Sequence, residues 1–528
     1  MSTKNIARSA VKVSAITMLS RVLGYIRDAV TAALLGVGMA SDAFFVAFRI
    51  PNMLRNLLAE GALSSAFIPV FTEYLEKKKK EDVWQLAANV MTVLAVVLAV
   101  ITALGVMFAD PIVRLMAPGF VADKAKFELT VSLTRMLFPF ILFVSIAALF
   151  MGILNSLKKF SMPAFAPVVL NVCMIAAGVF ISPMLGATPE TQVYGWVAGA
   201  LIGALLEIVI QWIPAAREGF KYKVYVDLKE PGVKKILKLM VPATIAQSVT
   251  QINLLVNTIL ASFLAGGAVT YLYYGNRLMQ LPFGVFGVAI ATVSFPYISS
   301  YAAKGDMKSL ADTIHSSLKQ AFFITIPASA GLIFLSTPIN SLLFNYGRFT
   351  YEDAANTARV SAIYCAAIFA FTGIKILTQV FYAIDKASTA VKISSFVMVL
   401  NIALCVALMI PFNYLGLAAA TVIGGIVQYW LLYHFTSKLV GNLKTKELLI
   451  YALKITFISV VMGAAVYFLN VYLTGIWNTV YSRKINALIV FICMLAGAGI
   501  YAALLPLFKV SEAGTLLKIF LEKIKSKR

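Results

Sequence analysis

The chain has 528 residues, of which 60% are hydrophobic and only 13% charged, with a mean hydropathy of +0.87; an average soluble domain is roughly 45–50% apolar and about 25% charged. This excludes an ordinary soluble globule, a disordered chain and a fibre, and leaves a polytopic membrane protein with apolar material for at most about 16 spans of ~20 residues. The net charge of +22, from 45 Lys and Arg against 23 Asp and Glu, then belongs to loops on the cytoplasmic side and not to a nucleic-acid surface.

In chain order, Lys4, Arg8 and Lys12 imitate a basic leader, but Arg21, Arg27 and Asp28 interrupt the apolar run that follows. The first segment is therefore expected to be a retained transmembrane helix and not a cleavable signal. Apolar runs predict fourteen helices over 12–36, 39–72, 84–109, 128–155, 162–183, 193–214, 235–262, 270–300, 313–337, 354–382, 388–410, 415–437, 448–473 and 484–507. With the N-terminus in the cytoplasm, roughly 26 Lys and Arg fall in inside segments and about 5 outside, among them Lys124 and Lys126, and the even count returns the C-terminus to the cytoplasm. Residues 511–528 place apolar side chains at helical spacing among lysines, the pattern of an amphipathic helix lying on anionic lipid. Cys173, Cys365, Cys405 and Cys493 all sit inside apolar stretches and are expected to be buried small hydrophobes. Two histidines leave little material for a metal site.

The chain also repeats itself. Residues 33–51 match 261–279 at a shift of 228, which places Arg49 on Arg277 and Asp42 on Thr270. The expected architecture is all-α, with two six-helix lobes related as parallel repeats, 1–220 and 221–440, followed by two further helices in 441–510 and the tail 511–528.

Charges inside spans need a partner, a cavity or a function, since each costs about 2.5–3.5 kcal/mol at mid-bilayer. The first helix carries Arg21, Arg27 and Asp28; the second carries Asp42 and Arg49, one face apart by seven residues, then Pro51, Arg55 and Glu60; later helices add Glu207, Arg277 ahead of Pro282, and Lys375. A structural reading pairs Arg21 with Asp28 and Arg55 with Glu60. It leaves a cationic surplus, and arginine's planar fork suits phosphate or pyrophosphate oxygens. Proline and glycine on these helices permit bending. No Walker A loop, acidic metal motif or GxSxG nucleophile is present, and no loop is long enough for a catalytic domain, so an enzyme is not expected.

The stretch SRVLGYIRDAVTAALLGVGMASDAFFVAFRIPNMLRNLLAEGALSSAFIPV (20–70) resembles the signature of the MurJ (MviN) family of bacterial lipid II flippases, within the multidrug/oligosaccharidyl-lipid/polysaccharide exporter superfamily. APGF (117–120), FPFILFVSIAALFMGILNSLKKFSMPAFAPVVLN (138–171), YYGNRLMQLPFGVFGVAI (273–290) and FNYGRFT (344–350) extend the likeness from about residue 6 to about 510. The resemblance implies a central cationic cavity between the lobes, a lipid-tail groove formed by the last two helices (441–510), and lipid II as the substrate. It places the family's essential arginines on Arg21, Arg27, Arg55 and Arg277, as holders of the pyrophosphate, and its acidic positions on Asp42 and Glu60. Asp28, Arg49 and Lys375 join the cavity or gate; Arg49 stands where some members have lysine, and Asn276 where some have an acidic residue. No cofactor is implied. A sodium or chloride ion stays open, with Asp385 a weak candidate ligand.

The expected function is alternating-access flipping of lipid II in the bacterial inner membrane, with the bilayer and peptidoglycan-synthesis proteins as surroundings and partners. Three rivals stand beside it: export of another polyprenyl-linked oligosaccharide, ion-coupled drug export, and a cell-wall scaffold that transports nothing. A drug exporter for cations calls for surplus carboxylate, where this chain has surplus arginine.

Overall fold

A computed structural model describes residues 3–57, 63–477 and 483–510; Glu60 and the 511–528 tail lie outside them. The described residues form helices joined by short turns, with no strand among them. They divide into two compact units, residues 1–270 with 344–350, and residues 271–343 with 351–528.

In the first unit the chain runs through α1 (Thr3–Leu35), α2 (Met39–Leu54), α3 (Ser64–Lys77), α4 (Lys80–Met107), α5 (Ala109–Met116), α6 (Lys124–Leu137), α7 (Pro139–Ser156), α8 (Ser161–Ala176), α9 (Ser182–Leu185), α10 (Pro189–Arg217) and α11 (Pro231–Ser262). Pro51 acts as expected: α2 ends three residues later and the backbone widens into a π-type turn over 55–57. The expected span 128–155 falls within one apolar span, Lys124–Ser156, in which α6 passes into α7 at Phe138, ahead of Pro139; the Phe138 ring lies where a side chain on Gly105 of α4 would stand. A ridge of Gly195, Gly199 and Gly203, four residues apart on α10, lets its backbone approach the start of α9 and α8: a methyl on Gly203 would lie 2.7 Å from Leu170. The core between α3, α4 and α7 is built from Phe67, Phe71, Leu86, Phe150 and Ile153, with Phe220 of the following linker driven into it.

That linker, 218–230, is an ordered strap rather than a loose connection. Buried Asn89 of α4 donates to the Asp227 carbonyl (2.8 Å) and to Glu230 Oε2 (2.6 Å), and its own carbonyl accepts the Asp227 N–H (3.0 Å). Thr92, one turn on, meets the Tyr222 hydroxyl at 3.3 Å. Burial raises the Glu230 carboxyl above its ordinary range, against the lowering pull of the Asn89 amide. Asn89→Ala removes three hydrogen bonds at once and is expected to cost about 1–3 kcal/mol. Trypsin cleavage at Lys221, Lys223 or Lys229 measures it; an unchanged cleavage rate would show that the strap is held by Phe220 alone.

The second unit contains most of α12 (Ala268–Pro282), then α13 (Val288–Lys304), α14 (Met307–Phe334), α15 (Ser336–Phe344), α16 (Tyr351–Cys365), α17 (Ile368–Ala383), α18 (Ala387–Val440), α19 (Thr445–Trp477) and α20 (Arg483–Leu507). Pro282 is followed by another π-type turn, 283–287. The expected span 354–382 is a pair, α16 and α17, bent by 42°. The expected spans 388–410 and 415–437 fall within one 54-residue run, α18, interrupted at Asn413, whose φ of 53° and ψ of −138° are not helical.

Nine of the described helices are long and apolar enough to cross a membrane, ten if α16 and α17 form one span. The expected fourteen are not reached by that measure. Two causes are visible: α1 carries several charges, and α18 counts once despite its break; within the expected span 39–72, residues 58–62 lie outside the described residues. The four cysteines are free; Cys365, Cys405 and Cys493 are buried as expected, and Cys173 is half-buried.

Candidate functional site

Asp42 stands in the first turn of α2 and is 1% exposed. Its carboxylate accepts from the Lys126 ammonium (2.7 Å), the Gly267 N–H (2.8 Å), the Thr270 N–H (3.0 Å) and the Thr270 hydroxyl (2.7 Å). Ser41 closes the knot with an oxygen 3.1 Å from the Thr270 hydroxyl. The two backbone donors lie just before and within the first turn of α12, so Asp42 caps that helix from another element, a site where negative charge is favoured. Asp42 and Thr270, paired by the sequence repeat, are thus in direct contact.

Lys126 reaches Asp42 because the preceding turn is fixed. Asp123 caps α6 by accepting the Lys126 N–H (3.1 Å), and the ammonium lies 4.1 Å from the centre of the Phe120 ring. The APGF turn that carries Phe120 is seated on the end of α11: the Gly119 N–H donates to the Ser262 hydroxyl (3.1 Å), and a Cβ on Gly119 would stand 2.2 Å from the Ser262 carbonyl oxygen. Sequence reasoning took Lys126 for an outer-loop cation. Its side chain is 9% exposed and neutralises Asp42; the one available signal was its place beside a helix-capping Asp.

On α1 the salt bridge of Asp28 runs to Arg27, at 2.7 Å from Nη2, rather than to Arg21 as the structural reading had it. Nε of the same guanidinium adds a second contact at 3.1 Å, and Nη1 lies 4.0 Å from the Met174 sulfur of α8. Neighbours on one turn meet here because the Arg27 side chain folds back over Asp28, which is itself buried. Arg21 is exposed. Arg49 is half-buried and donates to the Leu254 carbonyl of α11 at 3.2 Å; Arg55, half-buried, sits at the end of α2. The proposed Arg55–Glu60 pair lies outside the described residues.

The FNYGRFT segment also belongs to the first unit. The Arg348 N–H donates to the Ala33 carbonyl in the last turn of α1 (2.9 Å), and its guanidinium donates to the Ala187 carbonyl. Gly347 (φ 55°) and Gly36 (φ 64°) face this crossing, and a Cβ on Gly347 would lie 2.3 Å from the Ala33 oxygen. Sequence reasoning quoted the motif without assigning it this contact.

In the second unit, Arg277 of α12 is half-buried and contacts Gln280 at 3.4 Å, and Gln280 donates to Asn276 at 2.6 Å. Asn276 is therefore engaged in a neutral hydrogen bond where an acidic residue was the alternative. Lys375 of α17 is exposed. An apolar cavity of about 350 Å³ lies between α14, α17, α18 and α19, walled by Phe322, Ile333, Phe369, Tyr429, Leu448 and Val460. Among the described residues no group of three or more His, Cys, Asp or Glu could hold a metal ion, and Asp385 is an exposed turn residue ahead of α18.

Residues 31–488 match the family described as lipid II flippase MurJ. The chain is 38% identical over 401 residues to the lipid II flippase MurJ of Burkholderia cenocepacia, covering 75% of this chain and 77% of that one. It is 37% identical to the probable lipid II flippase MurJ of Vibrio cholerae, covering 81% and 82%. A solved lipid II flippase MurJ in an inward closed conformation superposes with a TM-score of 0.78 at 28% identity, over 96% of this chain and 100% of that chain. An inward-facing multidrug resistance MATE transporter of the MOP superfamily shares the fold, with a TM-score of 0.65 at 16% identity over 83% of this chain and 99% of that one. With the family match spanning most of its length and these identities over three quarters or more of it, the chain belongs to the lipid II flippase MurJ family.

Proposed function

We propose that the chain flips lipid II, the undecaprenyl-pyrophosphate-linked peptidoglycan precursor, from the inner to the outer leaflet of the bacterial cytoplasmic membrane by alternating access, with no covalent step. Beside family membership, the observation that carries this reading is charge. Arg21, Arg27, Arg49, Arg55, Arg277 and Lys375 stand on helices of a strongly apolar chain, and Asp42, one of the few carboxylates set against them, is already neutralised by Lys126. Such a surplus favours an anion, and bidentate guanidinium contacts favour a pyrophosphate.

In this reading Arg21, Arg27, Arg55 and Arg277 hold the pyrophosphate, and Asp28 fixes the Arg27 fork. Arg49, Glu60 and Lys375 belong to the cavity wall or gate. The Asp42 knot is a latch: its carboxylate grips the start of the helix that carries Arg277, and its release frees that end. The 1–220 and 221–440 lobes are the moving bodies, and 441–510, whose α19 borders the apolar cavity, contributes to holding the prenyl chain. Both termini face the cytoplasm. Peptidoglycan-synthesis proteins are the partner class, and a coupling ion, sodium or chloride, remains part of the proposal only as an alternative pair.

The test uses bacteria that live on this chain as their sole flippase. After acute inactivation, lipid II should no longer be cleavable by an enzyme added outside the cell, and Arg27→Ala with normal expression should reproduce a loss of about tenfold or more, the value of an uncompensated charged contact. Undiminished cleavage would remove lipid II flipping and favour a scaffold.

A further inference from the structure

The strap between α10 and α11 presents a surface that the flipping reading does not use. Over 220–227 the chain forms no helix and lies along α4, with some of its residues buried or half-buried and the rest exposed. Phe220 is buried, and the half-buried Tyr225 and Asp227 lean on Thr92 and Asn89 through their backbone N–H groups. Val224, Val226 and Leu228 are exposed, 77%, 58% and 55% accessible, and Tyr222 is exposed beside them. Lys221, Lys223 and Lys229 are exposed along the same short stretch. Lys80 adds a further ammonium beside the turn at Gly219, where a Cβ would meet it at 3.3 Å.

The height of this surface on α4 decides what covers it. From Leu86 to Thr92 α4 is buried throughout, and one turn later Val96, Val97 and Val100 become exposed, the apolar face expected to meet lipid. The strap therefore replaces the outer surface of α4 directly beneath its lipid-facing valines. Exposed valines and leucine at that level, interleaved with lysines, are matched by the boundary of an anionic leaflet: acyl carbons above, phosphate oxygens at the ammonium groups.

We propose that the 220–229 strap is an anionic-phospholipid contact of the inner leaflet, with Val224, Val226 and Leu228 entering the headgroup–acyl boundary and Lys221, Lys223 and Lys229 binding lipid phosphates. The claim goes beyond transport and depends on that reading only through the assignment of the lysine-rich ends to the cytoplasm.

Depth-dependent quenching tests it. Val224→Cys is introduced into the full chain with the four native cysteines replaced, labelled with bimane and reconstituted in nanodiscs. Val96→Cys serves as the lipid-facing reference. Nitroxide lipids labelled at the headgroup or at the fifth acyl carbon should quench the Val224 probe, and aqueous iodide should not. Nitroxide phosphatidylglycerol should quench about threefold more than nitroxide phosphatidylcholine at equal mole fraction, and the triple variant Lys221→Gln/Lys223→Gln/Lys229→Gln should abolish that preference. Quenching by iodide and not by lipid would overturn the proposal and place the strap in water. Equal quenching by the two lipids would overturn its anionic character. Neither result alters the external-cleavage assay, so the two readings fail separately.

Discussion

Lys126→Met is expected to destabilise the purified chain by about 3–5 kcal/mol, the loss typical of breaking a buried ion pair on one side. The reason lies in the geometry of the knot. Asp42 is 1% exposed, and of its four donors only Lys126 carries charge; the Gly267 and Thr270 donors are neutral. Methionine keeps the length of the side chain and its packing on Phe120 but strands a carboxylate away from water. Asp42→Asn strands the ammonium instead, and turns an NH₂ group toward backbone N–H donors. The double variant Asp42→Asn/Lys126→Met removes both charges and should recover a large part of the loss, giving a coupling energy of the size seen for contacting residues. Denaturation of the four proteins in one detergent measures the cycle. If Lys126→Met matches the parent within about 0.5 kcal/mol, the pair is not a stabilising element and the latch has lost its basis. A recovered double variant that is stable yet inactive in the external-cleavage assay separates gating from folding.

The knot also shows what a single sequence can and cannot reveal. Charge in an apolar run is visible without a fold, which is why Asp42, Arg27 and Asp28 stood out; so is a proline inside a helix, and Pro51 and Pro282 are both followed by widened turns. Partner choice is a different matter. Asp42 bonds to residues 84, 225 and 228 positions away, and no periodicity along α2 encodes those distances. The repeat came closest, since it placed Thr270 opposite Asp42 by alignment. Arg27 and Asp28 defeated the helical-wheel argument for a different cause: azimuth ranks Arg21 with Asp28, but a long guanidinium can curl back on its own neighbour. The short helices α5 and α15 escaped because, at 8 and 9 residues, neither is long enough to register as a span. Nothing local in the sequence marks the strap as ordered, because Asn89, which orders it, lies some 140 residues earlier.

Gly347→Ala is expected to cost about 2–4 kcal/mol, more than any ordinary small-to-large change on a loop, because two independent penalties coincide. The backbone there has φ of 55°, a left-handed conformation that costs a residue with a Cβ roughly 1–2 kcal/mol. The new methyl would also lie 2.3 Å from the Ala33 carbonyl oxygen. That atom belongs to the last turn of α1 and already accepts the Arg348 N–H, so it cannot yield without releasing the hydrogen bond. Gly36→Ala is a milder test of the same crossing: its φ of 64° carries the backbone penalty, but the nearest atom, the Arg348 oxygen, is 3.0 Å away. Gly331→Ala supplies the control, since nothing lies within 4 Å and α14 is helical there, so alanine should be neutral or stabilising by up to about 1 kcal/mol. Hydrogen exchange at the Arg348 amide reads the crossing directly. Strong protection in the parent, lost in Gly347→Ala and retained in Gly331→Ala, is the expected pattern. Protection unchanged by Gly347→Ala would mean that the 344–350 segment is held to α1 by the Arg348 guanidinium on Ala187 rather than by the backbone crossing, and Arg348→Ala would then be the variant that releases it.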